Sequence, residues 1–198
     1  MDEELKMLLK ELEQFGNDND AQTANRSNKM LNITPDTGAF LHLLIRALGA
    51  KRVLEIGTSN GYSTLWLAEA VQPLRGKVVT LEIAAHKAEM ARANFARAGV
   101  QEWVELHLGD AGEFLKQQQA DSFDFVFLDS NRESYVGWWG ELQGILRPGG
   151  LLVVDNAESH AHELTDFFRC VHETPGYITS LVPVGKGEFV VLKEAPVG

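Results

Sequence analysis

Apolar and polar positions along this chain repeat with two periods. In residues 2–15, Leu5, Leu8, Leu9 and Leu12 recur at helical spacing and predict an amphipathic helix with one leucine face. Residues 16–28 are polar and read as a loop. A second helix is expected over 37–48, after the turn-like Thr34-Pro35-Asp36 and before Gly49. From Arg52 a regular alternation begins. Short apolar runs at 52–56, 77–83, 104–108, 123–128 and 151–154 predict strands. Helical stretches follow them at 62–71, 84–98, 111–119, 134–146 and 161–173, and Arg147-Pro148-Gly149-Gly150 reads as a turn. Near-continuous apolar strands are what a sheet needs when helices cover both of its faces. Two last strands, 178–184 and 188–192, are divided by Gly185-Lys186-Gly187 and read as an antiparallel hairpin.

This order predicts an α/β fold, a Rossmann-like doubly wound, mostly parallel seven-stranded sheet ending in a C-terminal antiparallel hairpin. Residues 37–198 would form that domain, with 1–36 as an N-terminal helical cap and loop. A chain of 198 residues can bury a core without staples. The lone Cys170 fits that and a reducing, cytoplasmic setting. The acidic start, Met1-Asp2-Glu3-Glu4, is unlike a secretory signal, and no apolar run is long enough to cross a membrane. A formal net charge of -10 argues against nucleic acid as a partner but leaves small anionic substrates open.

In doubly wound sheets, ligands bind beyond the carboxyl ends of the strands. Polar residues gather there: Glu55 and Gly57, then Glu82, Gly109-Asp110, Asp129 and Asp155-Asn156. The turn Gly57-Thr58-Ser59-Asn60-Gly61 has two readings. Its letters fit the nucleophile elbow of a hydrolase, with Ser59, Asp129 or Asp155, and His160, His162 or His172 in a permitted order. They also fit a glycine-rich cofactor turn. The turn follows the first strand and no HGGG-type loop precedes it, which weighs against the hydrolase. The glycines are spaced G-x-x-x-G, so the pyrophosphate fingerprint of a nicotinamide dehydrogenase is missing as well. Glu82, about twenty residues beyond the turn, suits a ribose diol. A cofactor without phosphates, S-adenosylmethionine, fits best.

The stretches Ile33-Thr34-Pro35-Asp36-Thr37-Gly38, Glu55-Ile56-Gly57-Thr58-Ser59-Asn60-Gly61-Tyr62-Ser63, Phe127-Leu128-Asp129, Val154-Asp155-Asn156 and Pro183-Val184-Gly185-Lys186-Gly187 resemble the metal-dependent class I O-methyltransferases, relatives of the catechol and caffeoyl-CoA enzymes. The resemblance covers the chain from about residue 30. It implies that Glu55, Gly57, Thr58, Gly61 and Ser63 hold the methionine end of S-adenosylmethionine, with Ile33 nearby. Glu82 and Ile83 would take the ribose, and Asp110 and Ala111 the adenine. Asp129 would also face the cofactor and, with Asp155 and Asn156, bind a divalent metal. Two carboxylates and an amide are hard oxygen donors, suited to Mg²⁺, Mn²⁺ or Ca²⁺. Such a site suits a small phenolic acceptor with adjacent hydroxyls. Relatives often dimerise, so a homodimer is expected.

Two departures stand out. The family often carries lysine, proposed as general base, three residues after the fourth-strand aspartate. Here Arg132 takes that place beside Asp129 as the second candidate catalytic residue, and arginine stays protonated. Either the metal alone acidifies the hydroxyl, or Arg132 binds an anionic substrate, or activity is altered. The stretch after Asn156 is also short, which leaves the acceptor side open. Together they motivate a second function, a cofactor-binding module with little or no turnover. Tyr135, Trp138 and Trp139 read mainly as packing, and His160 and His162 as exposed loop residues.

Overall fold

The structure, a computed structural model, describes residues 1–195. The final residues of the expected domain, 196–198, lie outside the described residues. Seven α-helices are described: α1 (Glu3–Gln22), α2 (Pro35–Leu48), α3 (Tyr62–Val71), α4 (Ala85–Arg97), α5 (Ala111–Leu115), α6 (Tyr135–Ile145) and α7 (Ala161–Glu173). The strands are β1 (Arg52–Ile56), β2 (Lys77–Glu82), β3 (Val104–Leu108), β4 (Phe123–Leu128), β5 (Leu146–Val154), β6 (Tyr177–Val182) and β7 (Glu188–Lys193). They form one sheet in the order β3-β2-β1-β4-β5-β7-β6. The first five are parallel, and β7 lies antiparallel between β5 and β6. This is the mostly parallel sheet with a terminal hairpin that the alternation predicts.

Alternation along each strand sends neighbours to opposite faces. Val53, Phe125, Phe127 and Val153 join one core cluster with α2, α3 and the leucine face of α1. Leu54, Val126, Leu128 and Val154 join the other, with Trp139, Leu142 and Phe167 from α6 and α7. Both faces are therefore covered. The strand order reverses between β1 and β4, so their carboxyl ends open the crevice where such sheets bind ligands.

Three elements differ from the sequence expectation. The first helix does not stop near Phe15 but continues through the polar stretch to Gln22. Its last turn is held by what its polar side chains bind: Asp20 accepts the backbone N–H groups of Met30 and Leu31, and Asn19 donates to the carbonyl of Asn28. The helix α5 ends at Leu115 rather than 119, because the amides of Gln117 and Gln118 bond three residues back and tighten the chain into a turn. The turn at 147–150 lies inside β5, which begins at Leu146, and the register against β4 shifts between Phe123 and Phe125. A left-handed Gly149 accommodates this irregularity.

Candidate active site

The β1–α3 turn is built by glycines that the protein's own packing requires. Gly57 has φ +115°, and a Cβ there would stand 2.0 Å from the carbonyl oxygen of Asp129. A Cβ on Gly61, at φ +88°, would stand 2.6 Å from the Phe95 ring. The turn is thus pressed against the end of β4 on one side and α4 on the other. The missing side chains of both glycines point into the protein.

Behind the turn sits Glu55, fully buried. It accepts hydrogen bonds from the hydroxyls of Ser63 (2.6 Å), Thr64 and Thr80. Burial outweighs these donors and pushes its carboxyl up to about 7. In front of the turn, the two oxygens of Glu82 accept the backbone N–H groups of Ser59 and Ala84, each at 2.8 Å. Asp110 caps α5 by accepting the N–H of Glu113 at 2.9 Å. The Ser59 hydroxyl donates to the carbonyl of Met30 at 2.7 Å, and no histidine stands among its hydrogen-bond partners. That arrangement offers nothing to a serine hydrolase.

At the ends of β4 and β5, Asp129, Asp155 and Asn156 come together. The Asn156 Nδ2 lies 2.5 Å from Asp155 Oδ2 and 3.5 Å from Asp129 Oδ1. Asn156 has a left-handed backbone at φ 64°, which turns the chain directly after β5. Burial, together with the charges of Asp155 and Glu55, holds the Asp129 carboxyl well above the ordinary carboxylate range. Burial raises Asp155 as well. Glu188, at the start of β7, is fully buried, with Thr37 donating to its Oε1 at 2.9 Å. Burial and the Asp155 charge raise the Glu188 carboxyl too.

A buried carboxylate, Asp155, and a half-buried one, Asp129, that repel each other favour a compensating cation. Rotating the Asn156 amide exchanges its nitrogen and oxygen and presents a third oxygen beside them. The donor set therefore fits a hard divalent ion.

A cavity of about 760 Å³ spans these strand ends, a volume suited to a cofactor and a small second molecule. Of the residues singled out in the sequence, Gly57, Thr58, Ser63, Glu82, Ile83, Asp110, Ala111, Asp129, Arg132 and Asn156 line it. Ile33, Glu55, Gly61 and Asp155 stand behind its wall. Ile33 packs in the core, and Glu55 connects to the cavity through Ser63 and, by way of Thr80, through Thr58. Trp138 and His160 also reach the cavity, whereas Trp139 is buried in the core. His162 sits exposed on α7.

Sequence pattern alone does not point to four further wall residues, Arg26, Met30, Lys87 and Lys186. Lys87 donates to the carbonyl of Lys29 at 2.6 Å and helps hold the 29–32 segment over the cavity rim. Arg132 is buried, with its Nε bound to Glu163 at 2.7 Å.

An O-methyltransferase family model matches residues 3–193, nearly the whole described chain. The chain belongs to the O-methyltransferase family. The catechol O-methyltransferase of Mycobacterium tuberculosis is 44% identical over 124 residues, covering 63% of this chain and 56% of that protein. The chain spans just over half the length of the curated relatives it matches. Among solved structures, an O-methyltransferase of Streptomyces achromogenes in complex with SAM superposes with a TM-score of 0.78 at 28% identity, over 98% of this chain and 91% of that one. An O-methyltransferase of Bacillus cereus in complex with SAH gives a TM-score of 0.78 at 27% identity, over 94% and 91%. No described helix is long and apolar enough to cross a membrane.

Proposed function

We propose that this protein transfers a methyl group from S-adenosylmethionine to a hydroxyl of a small vicinal-diol phenol. One observation carries the reading. A single cavity joins Gly57, Glu82 and Asp110, at the ends of β1, β2 and β3, to Asp129 and Asn156, beyond β4 and β5. The first group suits a nucleoside with a methionine tail. Glu82 keeps lone pairs for a ribose diol after accepting its two backbone bonds, and Ser63 stands at the methionine end. Asp129, Asp155 and Asn156 would hold a divalent cation, Mg²⁺ by donor chemistry, which when bound would lower the pKa of a chelated hydroxyl.

In the reaction, the acceptor oxygen forms a bond to the methyl carbon. The sulfonium sulfur leaves with the electron pair, and the hydroxyl proton is released. The chain's contribution is alignment of the two reactants, since displacement depends on an in-line approach. A guanidinium is no general base, so Arg132 acts through its charge. The test is methyl transfer from labelled S-adenosylmethionine to a panel of catechols, with Mg²⁺ and with EDTA. Turnover abolished by EDTA is expected. Turnover indifferent to EDTA would remove the metal from this reading.

The ion pair between Arg132 and Glu163 supports a second reading, a cofactor-binding module without turnover. It predicts S-adenosylmethionine binding that Glu82→Ala weakens, with no acceptor methylated.

A further inference from the structure

The two halves of the cavity differ in charge. Glu82 and Asp110 stand at the nucleoside half, with their oxygens turned to backbone N–H groups. Around the acceptor half stand Arg26, Arg132 and Lys186, in a chain whose formal net charge is -10. Arg132 commits only its Nε, to Glu163. Its two terminal amino groups make no hydrogen bond among the described residues, although the side chain is only 6% exposed. Neither Arg26 nor Lys186 has an ion-pair partner among the described residues.

Lys186 is held in place by its backbone. Its carbonyl accepts the N–H groups of Glu158 and Ser159, and the next carbonyl, of Gly187, accepts Ala157 at 2.8 Å. These bonds clamp the β6–β7 connection onto the turn after Asn156. The charges of Lys186 and Arg132 are both felt at Asp129 and Asp155. The charges of Arg132 and Arg26 both reach His160.

A divalent cation on Asp129 and Asp155 would cancel their two charges, and Glu163 cancels Arg132. Lys186 and Arg26 then remain uncompensated beside the acceptor. A neutral catechol leaves them so, while an anionic one does not.

We infer that the acceptor is a vicinal-diol phenol carrying a carboxylate, received by the terminal amino groups of Arg132 together with Lys186 and Arg26. This rests on the methyltransferase reading and adds its substrate class. A planar guanidinium edge matches a carboxylate in two parallel hydrogen bonds. The flanking cations raise the local concentration of anions at the cavity mouth.

The test compares 3,4-dihydroxycinnamate with its methyl ester as methyl acceptors, in the wild type and in the double variant Arg26→Gln/Lys186→Gln. The acid is expected to exceed the ester in kcat/KM by about tenfold, the scale of one charge-assisted hydrogen bond. The double variant should lower that ratio by about threefold or more, through the KM of the acid, and added NaCl should lower it in the wild type. Both substrates share the metal and cofactor sites, so the ratio cancels damage to either. An ester used as well as the acid, or a ratio unchanged in the double variant, overturns the inference. If neither compound is methylated, it is the methyltransferase reading that fails. Calorimetry with S-adenosylhomocysteine and Mg²⁺ then decides the inference on binding alone: tighter binding of the acid sustains it, and equal binding ends it.

Discussion

Replacing Glu55 with glutamine tests whether a buried carboxyl beneath the cofactor turn keeps its proton. Glu55 is fully enclosed, and its hydrogen-bond partners among the described residues are three hydroxyls, from Ser63, Thr64 and Thr80. Burial lifts its pKa from the ordinary 4.5 to about 7. The folded state therefore binds a proton over a pH range where the unfolded chain has released it. Stability falls with rising pH wherever the folded state holds more protons. The contribution of Glu55 is thus fully present below pH 4.5 and is lost progressively up to about pH 7. The interval corresponds to about 3 kcal/mol.

Glutamine has nearly the same shape and does not ionise, and the three hydroxyls can rotate to donate to its oxygen or accept from its nitrogen. Urea unfolding of both proteins at pH 5 and pH 8 checks this. The Glu55→Gln protein should gain about 3 kcal/mol relative to wild type between the two conditions. The other raised carboxyls, Asp129, Asp155 and Glu188, remain in both proteins and largely cancel in the difference. Parallel pH profiles would refute the argument and mean that the three hydroxyls stabilise the ionised form.

Three further outcomes are expected. Gly57→Ala forces a Cβ to within 2.0 Å of the Asp129 carbonyl at a φ of +115°, so unfolding free energy should fall by about 2–5 kcal/mol, read from urea midpoints. Phe167→Ala empties a fully enclosed site where the ring meets Tyr135 and Trp139 edge-on, and should cost about 3–5 kcal/mol in the same assay. Asp155→Ala removes one of the two candidate carboxylate ligands, so Mn²⁺ affinity measured by electron paramagnetic resonance should fall by about tenfold or more, whereas unchanged affinity would place the ion elsewhere.

The parts of this molecule that burial dictates are legible in the amino-acid pattern, and the parts that polar side chains dictate are not. The strands β1, β2, β4 and β5 read as apolar runs because both faces of the sheet are covered there, and the two-cluster core confirms that cause; the edge strand β3 is only partly buried. Glu82, Asp129 and Asn156 are legible because strand ends in such a sheet share one rim, and all three line the cavity. The helical turn ending at Gln22 has no apolar period to announce it; Asn19 and Asp20 hold it by gripping backbone eleven residues or fewer away. Glu188 and Lys186 belong to a hairpin whose spacing signals only a turn. What places Glu188 against Asp155 is the antiparallel insertion of β7 beside β5, and strand order is not written in local pattern. The same insertion seats Lys186 on the turn after Asn156. The hairpin is therefore more than an edge. It supplies a buried carboxyl beside one carboxylate of the candidate metal site and a cation to the acceptor side, and both arrive from a part of the chain that periodicity reads as scaffold.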